Sequence, residues 1–159
     1  MSTFGFGRVV SAALIVSAIA TVAVAGPTEV AQIKSRQDKL RDMGGALKAI
    51  ADEIKKGRID WDNAAIPNAQ TVKDRSGYLL GWFPKGSGPE SHVKTYALPA
   101  VWAKPDEFTK LGKQLQADAA KLHQVAQAKD EAGLKAQVQV IGKTCKAPRY
   151  LPLSRLRKR

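Results

Sequence analysis

The sequence is poor in the residues that build disulfides and metal sites, with one cysteine and two histidines. One cysteine cannot form an internal disulfide, and it excludes zinc sites that use paired cysteines. The histidines, His92 and His123, have no third strong ligand close to them in sequence. We therefore expect two exposed polar side chains rather than a metal site.

The residue patterns of common enzyme classes are also missing. The sequence contains no Ser-His-Asp or Cys-His arrangement, no phosphate-binding loop and no conspicuous pair of carboxylates. The histidine nearest in sequence to Cys145 is His123, which is too far along the chain to form a dyad with it. We therefore predict that the protein is not an enzyme.

Charge is missing from the N-terminal segment apart from Arg8. The apolar run VVSAALIVSAIATVAVA follows, and it closes on Ala-Val-Ala at 23–25, small residues that suit a signal peptidase. We predict that residues 1–25 are a secretory signal peptide and that the mature protein begins at Gly26, in the periplasm of a bacterium. The alternative is a membrane anchor, although the run is short and rich in alanine for a stable span.

Acidic residues are missing from positions 143–159, which hold seven lysines and arginines. The formal net charge of +12 therefore comes mainly from this segment. We predict that residues 148–159 form a basic, disordered tail. Its bases are not interleaved with aromatic residues that could stack on nucleotides, so no specific nucleic-acid binding is predicted.

Four stretches have apolar residues at the spacing of an amphipathic helix, and no stretch has the alternation of a strand. The helices are predicted at about 28–56, 60–80, 105–128 and 130–146. Pro67 either kinks the second helix or marks its true beginning. The sequence predicts an all-α fold over residues 26–147, an up-down-up-down four-helix bundle.

The segment between the second and third predicted helices is rich in glycine and proline, yet it holds Trp82, Phe83, Tyr96 and Trp102. A solvated linker has no use for four aromatic side chains. We predict a long crossover that lies against the bundle and covers apolar surface.

Gly44 and Gly45 interrupt the first helical pattern. Each glycine costs about 1 kcal/mol of helix propensity relative to alanine. We expect another part of the protein to approach the backbone closely at this point.

These features together resemble the class II c-type cytochromes, the cytochrome c′ family. The specific parts are KSRQDKL in the first helix, FPKGSGPE and KTYALPAVW in the crossover, and VIGKTCKA at the end of the last helix. The resemblance extends over nearly all of residues 28–147. It implies a periplasmic four-helix bundle that binds haem c for electron transfer or for binding a diatomic gas.

The resemblance breaks at the haem attachment motif, C-x-x-C-H in that family. Cys145 occupies the position of the first cysteine, Pro148 that of the second, and Arg149 that of the axial histidine. An arginine offers iron no lone pair because its guanidinium stays protonated. No metal ligand is therefore assigned, and haem attachment at Cys145 alone is in question.

A frameshift would explain why the match ends so abruptly. Residues 148–152 can be encoded so that a shifted frame reads His-Asp-Thr-Tyr-Arg after a codon that ends in C, as a cysteine codon can. The basic tail would then be a product of the shift. A genuine divergent tail is the alternative.

The resemblance assigns further residues to the cofactor site. It places Arg36 and Gln37 near the haem propionates and Leu40 at the distal side of the iron, where an apolar residue leaves the sixth position open. Met43 is one turn away from that position and is not made a ligand. The aromatic residues expected to wall the haem are Trp82, Phe83 and Trp102.

The predicted partners are haem and a small redox partner or a diatomic gas. A homodimer is also left open by the resemblance. The alternative function is a haem-free helical bundle whose basic tail binds anionic lipid or nucleic acid.

Overall fold

The computed structural model describes residues 27–146, and these form five α-helices without a strand. The predicted signal peptide at 1–25 and the basic tail at 148–159 lie outside the described residues. None of the described helices is both long and apolar enough to cross a bilayer. The helices are α1 (Pro27–Lys56), α2 (Ile66–Gly77), α3 (Ala100–Ala103), α4 (Pro105–Gln127) and α5 (Glu131–Lys146).

Contacts between helices show that α1, α2, α4 and α5 run alternately up and down. Arg75 pairs with Asp42 across α1 and α2, while Glu53 accepts the backbone N–H of Asp60 at the far end of the same pair. The amide of Gln116 in α4 reaches the end of α2 in the same antiparallel sense. The amide of Gln137 in α5 reaches back to α4 at the carbonyl of Asp118. The predicted up-down-up-down bundle is therefore confirmed.

The second helix starts later than predicted. Residues Trp61–Ala65 form a π-helical turn, in which the carboxylate of Asp60 caps the N–H of Asn63. The α-helix begins at Ile66, and Pro67 lies in its first turn, where a missing N–H costs nothing. Of the two possibilities that Pro67 left open, the structure shows that it marks the helix start.

The end of α1 and the start of α4 are explained by residues at those positions. Gly57 ends α1 with φ +73°, a left-handed conformation that glycine adopts without a Cβ penalty. Pro105 opens α4, and Asp106 and Glu107 lie in its first turn, where negative charge complements the helix dipole. Both boundaries were predicted from the sequence.

The crossover between α2 and α4 packs against the bundle, as predicted. It contains the 3₁₀ turn Leu79–Trp82 and the short helix α3. The ring of Phe83 meets Trp102 edge-on at 6.1 Å and Phe108 of α4 at 5.0 Å between centroids. The apolar side chains of the crossover therefore continue the bundle core at one end.

The two adjacent glycines of α1 are not approached by any described part of the chain. A Cβ built on Gly44 or Gly45 meets nothing within 4 Å. The expected close approach is therefore absent from the described residues, and the physical reason is that both glycines lie on the exposed face of α1.

Replacement of these glycines by alanine should stabilise the protein. We expect Gly44→Ala and Gly45→Ala each to raise the free energy of unfolding by up to about 1 kcal/mol, because alanine loses less backbone entropy in a helix. Urea unfolding followed by circular dichroism measures the change. Gly57→Ala is the control and should destabilise, since its φ is +73°. A loss of stability in the two α1 variants would contradict the exposed position of these glycines.

Candidate cofactor site

Cys145 lies at the crossover end of the bundle, level with residues 36–40 of α1. The pairing of Gln137 with Asp118 places Cys145 opposite residues 110–113 of α4. A Cβ on Gly112 would clash with the side chain of Leu80, so this level of α4 faces the 3₁₀ turn that follows α2. The pairing of Arg75 with Asp42 carries the same level to residues 36–40 of α1. The antiparallel register therefore brings Cys145 to one end of the bundle with Arg36 and Leu40.

The Cys145 side chain is partly buried and packs against the hydrophobic core. Burial raises the pKa of its thiol to about 11. The thiol is therefore protonated at neutral pH and is not an activated nucleophile. Its position on the inner stripe of α5, after Leu134, Val138 and Ile141, suits a thiol that meets a group inside the bundle.

The described residues of α1 and α5 approach each other at fewer points than those of the other neighbouring pairs of bundle helices. This seam joins the helix that carries Leu40 to the helix that carries Cys145. Leu40 is 6% exposed and Met43 is 2% exposed, and both belong to the hydrophobic core. An apolar group that entered at this seam would meet a methyl-lined wall on the α1 side.

Arg36 is the most deeply placed charged residue of this end, with 2% of its surface exposed. Its guanidinium lies 4.6 Å from the centre of the Phe83 ring and 5.7 Å from that of Trp102. Burial lowers the pKa of Arg36 to about 10, while the carboxylate of Glu90 acts in the opposite direction. The guanidinium therefore remains charged at neutral pH.

The other predicted wall residues lie at the same end. Gln37 is half-buried beside Arg36, and its amide donates to the carbonyl of Lys94 at 2.9 Å. Trp82 and Trp102 are partly buried against the core. The Trp102 ring donates its N–H to the carbonyl of Pro84 at 3.0 Å. Together with Phe83, they form a cover over this end of the bundle.

The polar partners of Arg36 were missed by the sequence analysis. Its guanidinium donates to the hydroxyls of Ser87 and Thr95 and to two backbone carbonyls of the crossover. Ser87 is completely buried. The sequence offered one signal, the serine Ser87 between two glycines in a segment that also holds aromatic residues. That signal does not indicate which side chain Ser87 binds.

The prediction that both histidines are exposed is wrong for one of them. His92 is exposed on the crossover, but His123 is 8% exposed in α4. His123 follows buried Ala119 by four residues and therefore lies on the inner face of the helix. It is eleven residues along α4 from Gly112, or about 16 Å, so it is far from the level of Cys145.

The buried histidine should make stability depend on pH. Burial, and then the charge of Lys73, lower the pKa of His123, while Asp74 opposes them. The unfolded chain takes up a proton near pH 6.5, and the folded chain takes it up only at lower pH. Stability should therefore be highest above pH 6.5 and fall as the pH drops through 6. Urea midpoints measured at pH values between 5 and 7.5 follow this change in stability.

The variant His123→Gln is the control for that prediction. It removes the titrating ring and should flatten the pH dependence between pH 5 and 7.5, even if the variant is less stable throughout. An unchanged slope in His123→Gln would assign the pH dependence to other groups.

The described residues fit a haem only in part. A partly buried thiol, an apolar wall at Leu40 and an aromatic cover can surround a flat apolar group. His123 is far from the level of Cys145 and His92 is exposed on the crossover, and within residues 27–146 no group of three or more His, Cys, Asp and Glu side chains is placed to hold a metal ion. Pro148 and Arg149 lie outside the described residues. The donor set therefore accounts for one thioether and not for an axial ligand.

Comparisons with known proteins agree with this architecture. A profile of the family described as Cytochrome C' matches residues 31–147. Cytochrome c-556 from Agrobacterium tumefaciens (strain II Chrys) is 31% identical over 116 residues, which cover 73% of this chain and 91% of that protein.

Solved structures of related proteins have the same fold. The crystal structure of cytochrome c′ from Rubrivivax gelatinosus has 26% sequence identity and a TM-score of 0.68, with 76% of this chain and 92% of that chain covered. A variant of cytochrome c′ from Alcaligenes xylosoxidans with bound NO has 24% identity and a TM-score of 0.64, with 73% and 87% covered. The family match over residues 31–147 and the 31% identity to cytochrome c-556 show that this chain belongs to the cytochrome c′ family.

Proposed function

We propose that this protein binds haem c at the crossover end of its bundle and that the bound iron serves diatomic gas binding or electron transfer. The observation that carries the proposal is the position of Cys145. The register of the bundle brings its partly buried thiol level with Leu40 on the neighbouring helix, at the seam between α1 and α5.

Gas binding is favoured over simple electron transfer by the side chain of Leu40. Leucine has no lone pair to offer a metal, so it cannot occupy a coordination position. The NO-bound variant of cytochrome c′ from Alcaligenes xylosoxidans supports the proposal by relationship. In this chain, the residues around Cys145 and Leu40 would bury the haem ring, exclude water from it and keep one of its faces apolar. Haem, when bound, supplies the iron that takes the gas.

The attachment of haem is impaired in the chain as its sequence stands. Cys145 can form one thioether, while the positions of a second cysteine and of the axial histidine are occupied by Pro148 and Arg149. A frameshift before Pro148 accounts for this loss. The nucleotide sequence of the gene tests it directly, because the alternative frame would then read the histidine codon across the codons for Pro148 and Arg149.

Pyridine haemochrome absorbance of the purified protein tests the proposed function. A haemochrome band supports it, and a Soret band that survives acid–acetone extraction shows a covalent link. A colourless protein that also fails to bind added haem would favour the alternative, a haem-free bundle. For that alternative, the seven bases of residues 143–159 supply attraction to anionic lipid, about 1 kcal/mol for each base near the surface.

Export is part of the same proposal. We expect the mature protein to begin at Gly26, because small residues at positions 23 and 25 suit signal-peptidase cleavage. N-terminal sequencing of protein from the periplasmic fraction measures this. Intact Met1 in the membrane fraction would instead support the anchor alternative, and Ala25→Pro is a matched variant that should block cleavage at this site.

A further inference from the structure

We infer that Arg36 is a positioning residue that fastens the crossover over the cofactor end of the bundle, and that its terminal N–H groups serve the crossover rather than a haem carboxylate. The hydrogen bonds that attach the crossover to Arg36 are made within the chain and need no cofactor. Only their consequence, control of access to the cofactor end, rests on the proposed haem function.

All four terminal N–H protons of Arg36 are already bound. Nη1 donates to the Ser87 hydroxyl at 2.9 Å and to the Trp82 carbonyl at 3.3 Å. Nη2 donates to the Ser87 carbonyl at 3.0 Å and to the Thr95 hydroxyl at 2.9 Å. Each terminal nitrogen carries two protons, so a carboxylate could bind there only by displacing a crossover acceptor.

The acceptors are themselves held in place, which distinguishes this arrangement from a chance surface contact. Ser87 is completely buried, and its hydroxyl also donates to the Pro84 carbonyl at 2.8 Å. The Thr95 hydroxyl accepts the backbone N–H of Ala97 as well. The crossover thus presents a formed set of acceptors to the guanidinium, whose faces meet Phe83 and Trp102.

Arg36 joins parts of the chain that are remote in sequence. Its bonds connect α1 with residues 46 to 59 positions later, on both sides of the turn at Gly86. The neighbouring amide of Gln37 adds one bond from α1 to the crossover, and that bond is exposed to solvent. Because water competes for an exposed bond, the buried set at Arg36 carries most of the polar attachment.

Release of this attachment should open the crossover without unfolding the bundle. The helices are held by their own apolar core, whereas the crossover covers one end through Phe83, Val101 and the Arg36 bonds. Opening would expose the end at which Cys145 and Leu40 lie. Arg36 would therefore control how readily haem or a small ligand reaches that end.

Limited trypsin digestion of the mature chain tests the inference. Lys85 and Lys94 are exposed on the crossover and report its opening, while exposed Lys121 in the C-terminal part of α4 reports unfolding of the bundle. We expect Arg36→Gln to be cut at Lys85 and Lys94 faster by at least about tenfold to a hundredfold, the factor that the loss of even one of its four charged hydrogen bonds would give. Cleavage at Lys121 should not change.

Arg41→Gln is the matched control. Arg41 is also on α1, but it is exposed and pairs with Asp38 of the same helix. This variant should be cut at the wild-type rate. Equal cleavage of Arg36→Gln and wild type at Lys85 and Lys94 would overturn the inference. A parallel rise at Lys121 would also overturn it, because Arg36 would then stabilise the whole bundle.

A second variant keeps the test decisive if Arg36→Gln does not fold. The double variant Ser87→Ala and Thr95→Val removes two acceptors and leaves Arg36 between its aromatic rings. It should also be cut faster at Lys85 and Lys94, with Lys121 protected. If a folded double variant is cut at Lys85 and Lys94 at the wild-type rate, the inference that Arg36 holds the crossover is overturned.

Added haemin separates the inference from the proposed function. If Arg36 keeps its crossover partners, haemin should leave the wild-type cleavage rate at Lys85 and Lys94 unchanged or lower it. Faster cleavage on haemin binding would show that the guanidinium moves to the haem carboxylates, which overturns the inference. The absence of any Soret shift would count against the proposed function, while the digestion of the haem-free chain still decides the role of Arg36.

Discussion

The variant Pro148→Cys with Arg149→His, ended after Tyr150, should bind haem covalently when it is expressed with a cytochrome c maturation system. Cys145 is already on the inner stripe of α5 with Ile141 and Leu134. A cysteine three residues later would lie on nearly the same face if the helix continued, and the following histidine could supply the axial imidazole. We expect a full equivalent of haem, where the unaltered chain carries much less.

Pyridine haemochrome absorbance after acid–acetone extraction measures the covalent haem. We expect a five-coordinate, high-spin spectrum, because Leu40 offers no ligand from the α1 side. Leu40→Met in the same background should shift the spectrum toward six-coordinate, since methionine adds a thioether sulfur. Leu40→Ile is the matched control that adds no ligand and should leave the coordination number unchanged. A colourless repaired protein would remove the central support for the proposed haem site.

The unaltered chain should hold haem weakly and below one equivalent, and Cys145→Ser should abolish any covalent fraction. A single thioether without an axial imidazole leaves the iron with little attachment. A ligand that binds only the folded state stabilises it by mass action, about 4 kcal/mol when its concentration is ~1,000 times the Kd. The unaltered chain should therefore melt well below the repaired protein.

Thermal unfolding of the two proteins, with and without added haem, measures that difference. Cys145→Ser should melt like the unaltered chain in the absence of haem, because the thiol is only partly buried and has no activated chemistry of its own. Tight, stoichiometric haem in the unaltered chain would contradict the prediction and would require another axial ligand. Met43 is then the first candidate to replace, because it lies one turn from Leu40 in the core.

The four bundle helices and their order were determined by the sequence alone, whereas the short helix α3 was not predicted. Apolar residues such as Leu115, Ala119 and Leu122 recur at helical spacing, and Gly57 and Pro105 mark helix boundaries. These signals are local, since each depends on residues within one or two turns. The inner stripe of α5 that ends at Cys145 was predictable for the same reason, and so was the aromatic cover, because a solvated loop has no use for tryptophan.

The tertiary structure alone decided which polar groups meet. Arg36 binds Ser87 and Thr95, which are 51 and 59 positions away, and no local pattern encodes a bond over that distance. His123 lies on a face that becomes buried only when α4 packs in the bundle, so the sequence alone wrongly predicted it to be exposed. Gly44 has free space around it because no described element covers that face of α1. Local sequence thus fixes the helices, whereas the burial and partners of polar side chains depend on how the helices and the crossover pack together.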